Sequence, residues 1–201
     1  MSWIEIIPYS SAKGKLKKLY DRVKGPNNNV DNIILAHGLR PHSMEGHMVL
    51  YKNVIHHKNN TIPKWFLETI GVYVSFLNKC DYCVQHHAAG LKKLVNNLEK
   101  FNKIIECLHS KEFSSVFDFK YSEALNYAKL LTVNPTVVSE NNIQMLKKNG
   151  FKDGEILEIN QVVSYFNYAN RTVLGLGITI EGDILGLSPN DSSNENNWNH
   201  Q

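Results

Sequence analysis

The chain has 201 residues, 42% of them hydrophobic and 20% charged, which is ordinary globular composition with material for one sizeable core or two small ones. The net charge of +3 comes from scattered basic residues, and the groups around Lys13–Lys18 and Lys92-Lys93 read as solvated helix faces, so the dense basic stripe of a nucleic-acid binder is missing. No apolar run approaches membrane-spanning length, and Met1-Ser2-Trp3-Ile4-Glu5 lacks a secretory pattern, so a soluble cytoplasmic protein with no membrane partner is expected.

The pattern is helical nearly throughout. Leu16, Leu19, Tyr20 and Val23 recur at helical spacing, and Gly25-Pro26 ends that segment. Asn27-Asn28-Asn29 is a loop, followed by a short apolar piece from Val30 to Leu39. Pro41 opens a helix that places Met44, Met48, Tyr51 and Ile55 on one face and ends in the polar run His56-His57-Lys58-Asn59-Asn60. Pro63 suits the first turn of the next helix, which runs to about Lys79. That helix is apolar on most sides (Phe66, Leu67, Ile70, Val72, Val74, Phe76, Leu77), the signature of a buried helix, and Glu68 stands alone within it.

Cys80 opens the following helix, which extends to about Asn96. Further helices are predicted at Leu98–His109, Tyr121–Leu131 and Ser139–Asn149. Asp153 is expected to cap a last long helix reaching Tyr168 or beyond. The tail from Ser188 to Gln201 is rich in Asn and Ser and reads as disordered, leaving 1–187 as a single helical domain. Val74–Cys80 also echoes Val163–Ala169, which raises the question of two related helical units.

Of the three cysteines, Cys80 and Cys83 form a CxxC, with His87 four residues further on. In a reducing compartment such a pair is a redox couple or part of a metal site. Spacings of three and four put Cys80, Cys83 and His87 on one helical face. Cys80 lies at the helix start, where unpaired N–H groups favour a thiolate, and His87 is placed to hydrogen-bond the Cys83 thiol and relay its proton. Glu68 lies 12 residues before Cys80, and a turn near Asn78 folds its helix back toward the cysteines. A carboxylate there suits a proton acceptor.

Each residue also has a plainer reading. Cys80, Cys83 and His87 make three quarters of a zinc site, although no nearby second Cys or Cys–His pair completes it; Cys107 and His109 lie a full helix away. Glu68 taken alone suits a salt bridge, and Cys107 a small buried side chain. His86 is expected to face away from the thiols. His37, His42, His47, His56 and His57 read as helix-surface or core residues, with His47 the most conspicuous on its apolar stretch.

Glu68, eleven residues, Cys80-x-x-Cys83, three residues and His87 together resemble the signature of the AhpD-like alkylhydroperoxidases, within the carboxymuconolactone decarboxylase superfamily. Ile62-Pro63, Val74-Ser75, Asn78, Tyr82 and His86-His87 fit the same pattern, and Gln161–Arg171 resembles the second region of its peroxidase-related branch. The resemblance spans about residues 10 to 187. It implies an all-α bundle that assembles as trimers or hexamers. It also implies a thiol peroxidase or disulfide reductase without metal, haem or other cofactor. In such an enzyme Cys80 and Cys83 cycle between dithiol and disulfide through a sulfenic acid, while Glu68 and His87 relay protons. A hydroperoxide would be the substrate, and a lipoyl protein, a thioredoxin-like protein or a small thiol the reductant. One departure is Tyr82, where well-studied relatives carry a second relay histidine. The lactone decarboxylases of the superfamily lack the cysteine pair, which disfavours decarboxylation. Residue position leaves the peroxidatic cysteine open, with a lean to Cys83 as the thiol activated by His87 and Cys80 as its resolving partner.

Overall fold

A computed structural model describes residues 2–190, 194 and 197–201. Among these the chain forms nine α-helices joined by short 3-10 turns, with no strand. They are α1 (Gly14–Val23), α2 (Asn32–Ala36), α3 (Pro41–His56), α4 (Lys64–Leu77), α5 (Asp81–Val95), α6 (Leu98–Ser110), α7 (Phe119–Val133), α8 (Glu140–Lys148) and α9 (Asp153–Leu176). None of the described helices is long and apolar enough to cross a membrane.

The all-round apolar helix is the centre of the fold. Every residue of α4 from Phe66 to Ser75 is buried, and α4 packs against α5, α7 and α9. Phe66, Ile70, Tyr73, Leu125, Ile159 and Phe166 belong to this core. Full burial of a large apolar side chain contributes about 1.5–3 kcal/mol, so these rings and branched chains dominate the packing. A second cluster joins α1 to α3: Leu16, Tyr20, Val23, Met44 and Met48 close over Trp198. These are the faces that helical spacing predicts for α1 and α3.

Several helix ends differ from the sequence reading by one or two residues. Pro63 is the N-cap of α4 rather than part of its first turn. Lys152, not Asp153, is the N-cap of α9, because the Glu155 carboxylate reaches back to accept from the Lys152 N–H at 2.7 Å. The stretch Ile178-Thr179-Ile180 forms no strand. Gly177, at φ 58°, ends α9 in the left-handed region, and the Ile178 N–H bonds back to the Val173 carbonyl at 3.0 Å. The chain then returns across the molecule.

The two segments of the echo, Val74–Cys80 and Val163–Ala169, sit differently within their helices. The first runs through the end of α4, whereas the second lies wholly inside α9. The two touch: the Asn78 amide donates to Asn167 Oδ1 at 3.1 Å and to Asn170 Oδ1 at 2.9 Å.

The tail also differs from its expected disorder. Residues 191–193, 195 and 196 lie outside the described residues, but the remainder packs against the body. Trp198 is buried under the Arg22 guanidinium, 3.6 Å from the ring centroid, and its N–H donates to the Arg22 carbonyl at 2.8 Å. His200 is buried and pairs with Pro189 in a single antiparallel bridge. Low hydrophobicity over the segment concealed two aromatic anchors that find ready-made seats.

Close packing of α4 on α9 yields a stability prediction. A Cβ at Gly71 would fall inside the Phe166 ring, with both residues fully enclosed. Gly71→Ala is therefore expected to destabilise the protein by about 1–3 kcal/mol, despite the better helix propensity of alanine, as read by urea unfolding.

Candidate active site

The cysteines sit at a tight helical corner. At the end of α4 the Lys79 N–H bonds to the Phe76 carbonyl at 3.1 Å and the Cys80 N–H to the Ser75 carbonyl at 2.9 Å. Lys79 itself adopts φ 57°. This left-handed cap turns the chain back on itself within three residues. Cys80 becomes the N-cap of α5, and α5 lies antiparallel along α4 with Glu68 and His87 facing each other.

Cys80 and Cys83 are both reduced and buried, with their sulfurs 3.2 Å apart. The hydrogen bond from Cys83 lowers the Cys80 pKa, and the same bond together with burial pushes the Cys83 thiol well up. The pair thus holds one proton more loosely than the other, and the tighter one rests on Cys83. Of the two, Cys83 lines the pocket described below, while Cys80 is fully enclosed beside Ala36, Val173 and Ile178.

His87 Nδ1 lies 2.7 Å from Glu68 Oε2. The expected hydrogen bond from His87 to the Cys83 thiol is not among the described contacts; the imidazole pairs with the carboxylate and the thiol with Cys80. A charge-assisted bond in a dry setting outcompetes a thiol–imidazole bond. Glu68 has a second neighbour in His56, whose Nε2 is 3.8 Å from Oε1. His56, read as a surface or core residue, is a core residue at the end of α3, behind the Glu68–His87 pair.

Tyr82 and His86 point to a different carboxylate. The Tyr82 hydroxyl donates to Asp183 Oδ2 at 2.7 Å, and His86 Nε2 lies 3.1 Å from the same oxygen. The Asn32 N–H donates to Asp183 as well, at 3.0 Å to Oδ1. Asp183 thereby fastens the segment after α9 across α2 and α5. Gly186 continues this strap at φ 74°, against Ala89 and Gly90 where a Cβ would collide, and the Lys93 ammonium donates to its carbonyl at 2.9 Å. His86 pairs with Asp183 and lines the same cavity as Cys83, and Tyr82 is part of this anchor.

Cys83, Glu68 and His87 open onto a cavity of about 110 Å³. Tyr51, Tyr165 and His47 wall it, and Asp31, Leu187 and His200 complete the lining on the side of the strap and tail. The Tyr51 and Tyr165 rings stack at 5.7 Å, and His200 lies parallel to Tyr51 at 6.2 Å. Asp183, Tyr51, Tyr165 and His200 were not singled out from the sequence as site residues. Only Tyr165 had a signal, inside the Gln161–Arg171 region. Cys107 and His109 take no part: Cys107 Sγ contacts the Glu112 carbonyl at 3.4 Å, and His109 stacks on Phe76 at 4.1 Å. Among the described residues no group of three or more His, Cys, Asp or Glu side chains is placed to hold a metal ion.

Comparison of the whole architecture gives extensive matches to solved structures. One is the alkylhydroperoxidase AhpD core of a peroxidase-related protein from Ralstonia eutropha JMP134, with a TM-score of 0.75 at 19% identity over 92% of this chain and 96% of that one. The chain has the AhpD-like fold. A peroxidase-related protein from Silicibacter sp. TM1040 matches with a TM-score of 0.68 at 24% identity, over 76% of this chain and 78% of that one. The debrominase Bmp8 matches with a TM-score of 0.70 at 19% identity, over 87% and 90%. No family model matches the sequence, and no curated protein matches it. The AhpD-like fold is therefore carried by geometry at identities where sequence comparison is silent.

Buried histidines around the pocket set a pH dependence. Burial lowers His47 from 6.5 to about 3 and His200 to about 4, and pushes His56 well below its ordinary value. In the unfolded chain all three take up protons near pH 6.5, so each contributes stability above that pH that is lost as pH falls toward its folded value. Asp31 acts oppositely, since desolvation raises it from 3.8 to about 6 and the folded state binds that proton first. Three protons against one leave a net uptake of up to about two on unfolding between pH 6 and 4, each worth about 1.4 kcal/mol per pH unit. Urea unfolding from pH 7 to 4.5 is expected to show stability falling with pH, and a flat profile would contradict the neutral burial of these rings.

Proposed function

We propose that the protein is a thiol-dependent peroxidase in which Cys83 meets the hydroperoxide, Cys80 resolves it, and the Glu68–His87 pair moves the proton. The observation that carries this reading is the convergence of Cys83, His87 and Glu68 on one pocket, with Cys80 3.2 Å behind Cys83. Access favours Cys83 as the attacking sulfur, and its raised pKa is the reason that a base is needed.

The cycle balances with these groups. His87 takes one proton from the dithiol and becomes an imidazolium, held by the Glu68 carboxylate. That proton is drawn from Cys83 against its resting preference, and Cys80 keeps its own as a thiol that donates to the Cys83 thiolate. Its sulfur attacks the peroxide oxygen, the O–O bond breaks, and Cys83 becomes a sulfenic acid. The departing alkoxide receives the proton from His87 and leaves as an alcohol. Cys80 then attacks the sulfenic sulfur, forming the Cys80–Cys83 disulfide and releasing water. A dithiol reductant resets the pair by exchange. A lipoyl or thioredoxin-like protein, or a small thiol, is the proposed donor, and a trimer or hexamer the proposed assembly.

One equivalent of cumene hydroperoxide is expected to convert the reduced protein to the Cys80–Cys83 disulfide, read by peptide mass spectrometry. Dimedone should trap a sulfenic acid at Cys83 in Cys80→Ser and none in Cys83→Ser. Glu68→Gln should slow oxidation by about 10²–10⁴-fold, the usual contribution of a positioned acid–base group. Thiols that remain free in the folded protein would overturn the reading.

A second reading is favoured by the ring-walled pocket together with the match to a debrominase. A further structure of Bmp8 is described as a complex of a Cys-to-Ala variant with 2,3,4-tribromopyrrole. A flat halogenated ring suits walls of Tyr51, Tyr165 and His47, and a dithiol supplies the two electrons that replace carbon-bound bromine by hydrogen. Bromide release from tribromopyrrole with dithiothreitol, measured beside hydroperoxide turnover, distinguishes the two. Peroxide turnover is expected to be the faster, and the reverse order would favour dehalogenation.

A further inference from the structure

Glu68 has two carboxylate oxygens, and the relay above uses one. Oε2 pairs with His87 Nδ1 at 2.7 Å, whereas Oε1 faces His56 Nε2 at 3.8 Å. His56 ends α3, its side chain is 0% exposed, and neither ring nitrogen has a hydrogen-bond partner among the described residues. Its ring meets Tyr51 edge-on at 4.8 Å. A neutral imidazole carries one N–H, and buried donors are rarely left without an acceptor. The carboxylate oxygen in front of Nε2 is the acceptor that the geometry offers.

We propose that His56 is a positioning residue of the relay, presenting its Nε2–H to Glu68 Oε1 so that the carboxylate is held in place while His87 takes and returns the proton. This rests on the reading of Glu68 and His87 as the proton acceptor of the thiol pair. The 3.8 Å separation is in ion-pair range and beyond a full hydrogen bond; such contacts in resting active sites commonly tighten when the reaction complex forms. A carboxylate inside an apolar core is unfavourable with a single donor, and a second donor on the free oxygen favours the charged form.

The surroundings keep His56 in the donor state. Lys52 and Tyr51 approach from α3, Lys64 and Glu68 from α4, His87 from α5 and His200 from the tail, with Tyr165 of α9 behind Tyr51. Burial first, and then the two lysines and two histidines, disfavour a positive charge on the ring. His56 therefore offers an N–H without competing for the proton that His87 carries. The histidine at the end of α3 thus ties the relay to a third helix.

The test is the pH dependence of iodoacetamide alkylation at Cys80 and Cys83, read peptide by peptide so that Cys107 does not interfere, on the full-length protein. This readout needs no peroxide turnover. His56→Phe is expected to move the acid limb of the profile up by about one pH unit, a tenfold slower reaction below it. His56→Gln puts an amide N–H in the place of Nε2 and is expected to restore the wild-type limb. His56→Asn, whose amide reaches only the Nδ1 position, is expected to behave as Phe and serves if the Phe variant does not fold. In a Glu68→Gln background His56→Phe should add no shift. A folded Phe or Asn variant with the wild-type limb, or a Gln variant shifted as far as Phe, would overturn the role of His56. Coincident profiles for wild type and Glu68→Gln would overturn the underlying relay instead.

Discussion

Glu68 and His87 meet at 2.7 Å in the middle of the bundle, and the arrangement of α4 and α5 depends on that meeting. α4 is buried from Phe66 to Ser75, so its one carboxylate is largely withdrawn from water. A charge there is tolerable only with donors fixed around it. The left-handed cap at Lys79 supplies the geometry. It reverses the chain so that α5 lies along α4, and a histidine one turn beyond Cys83 arrives opposite the carboxylate. The same reversal makes Cys80 the N-cap of α5. The Glu68–His87 contact and the thiol pair are consequences of one corner.

The thiol pair divides its work by position. Cys80 is enclosed and Cys83 opens to the pocket, yet the shared hydrogen bond leaves the tighter proton on Cys83. In the chemistry proposed, the sulfur with access is the one that needs a base, and Glu68 and His87 line the same pocket. Around it the strap beyond α9 acts as a wall. Asp183 collects the Tyr82 hydroxyl, the His86 imidazole and the Asn32 N–H, so the position that departs from the family pattern serves as an anchor for the strap. That structural use of Tyr82 leaves the Glu68–His87 pair as the acid–base group closest to the thiols in the chemistry proposed.

Apolar spacing made α1, α3, α4 and α5 readable because each buries one stripe or its whole surface, a property of neighbouring residues. The faces formed by Leu16, Leu19, Tyr20 and Val23, and by Met44, Met48 and Ile55, are the buried ones. The Cys80, Cys83 and His87 spacing was readable for the same reason. The partner of His87 was not. Local spacing pointed to the Cys83 thiol, and the carboxylate from another helix won because its bond is charge-assisted. The tail was misread from its composition: Trp198 and His200 are held by α1 and α3, and nothing in a run of Asn and Ser indicates such seats.

The sequence alone therefore determined the helices, the central buried one above all, and the spacing that puts Cys80, Cys83 and His87 on one face, because periodicity and short spacing are local. Only the tertiary structure decided which of those groups pair. His56 behind Glu68, Asp183 beneath Tyr82 and His200 over Tyr51 join residues far apart in the chain. Such pairings follow from how buried polar groups find partners once the helices have packed, and that choice is made in three dimensions.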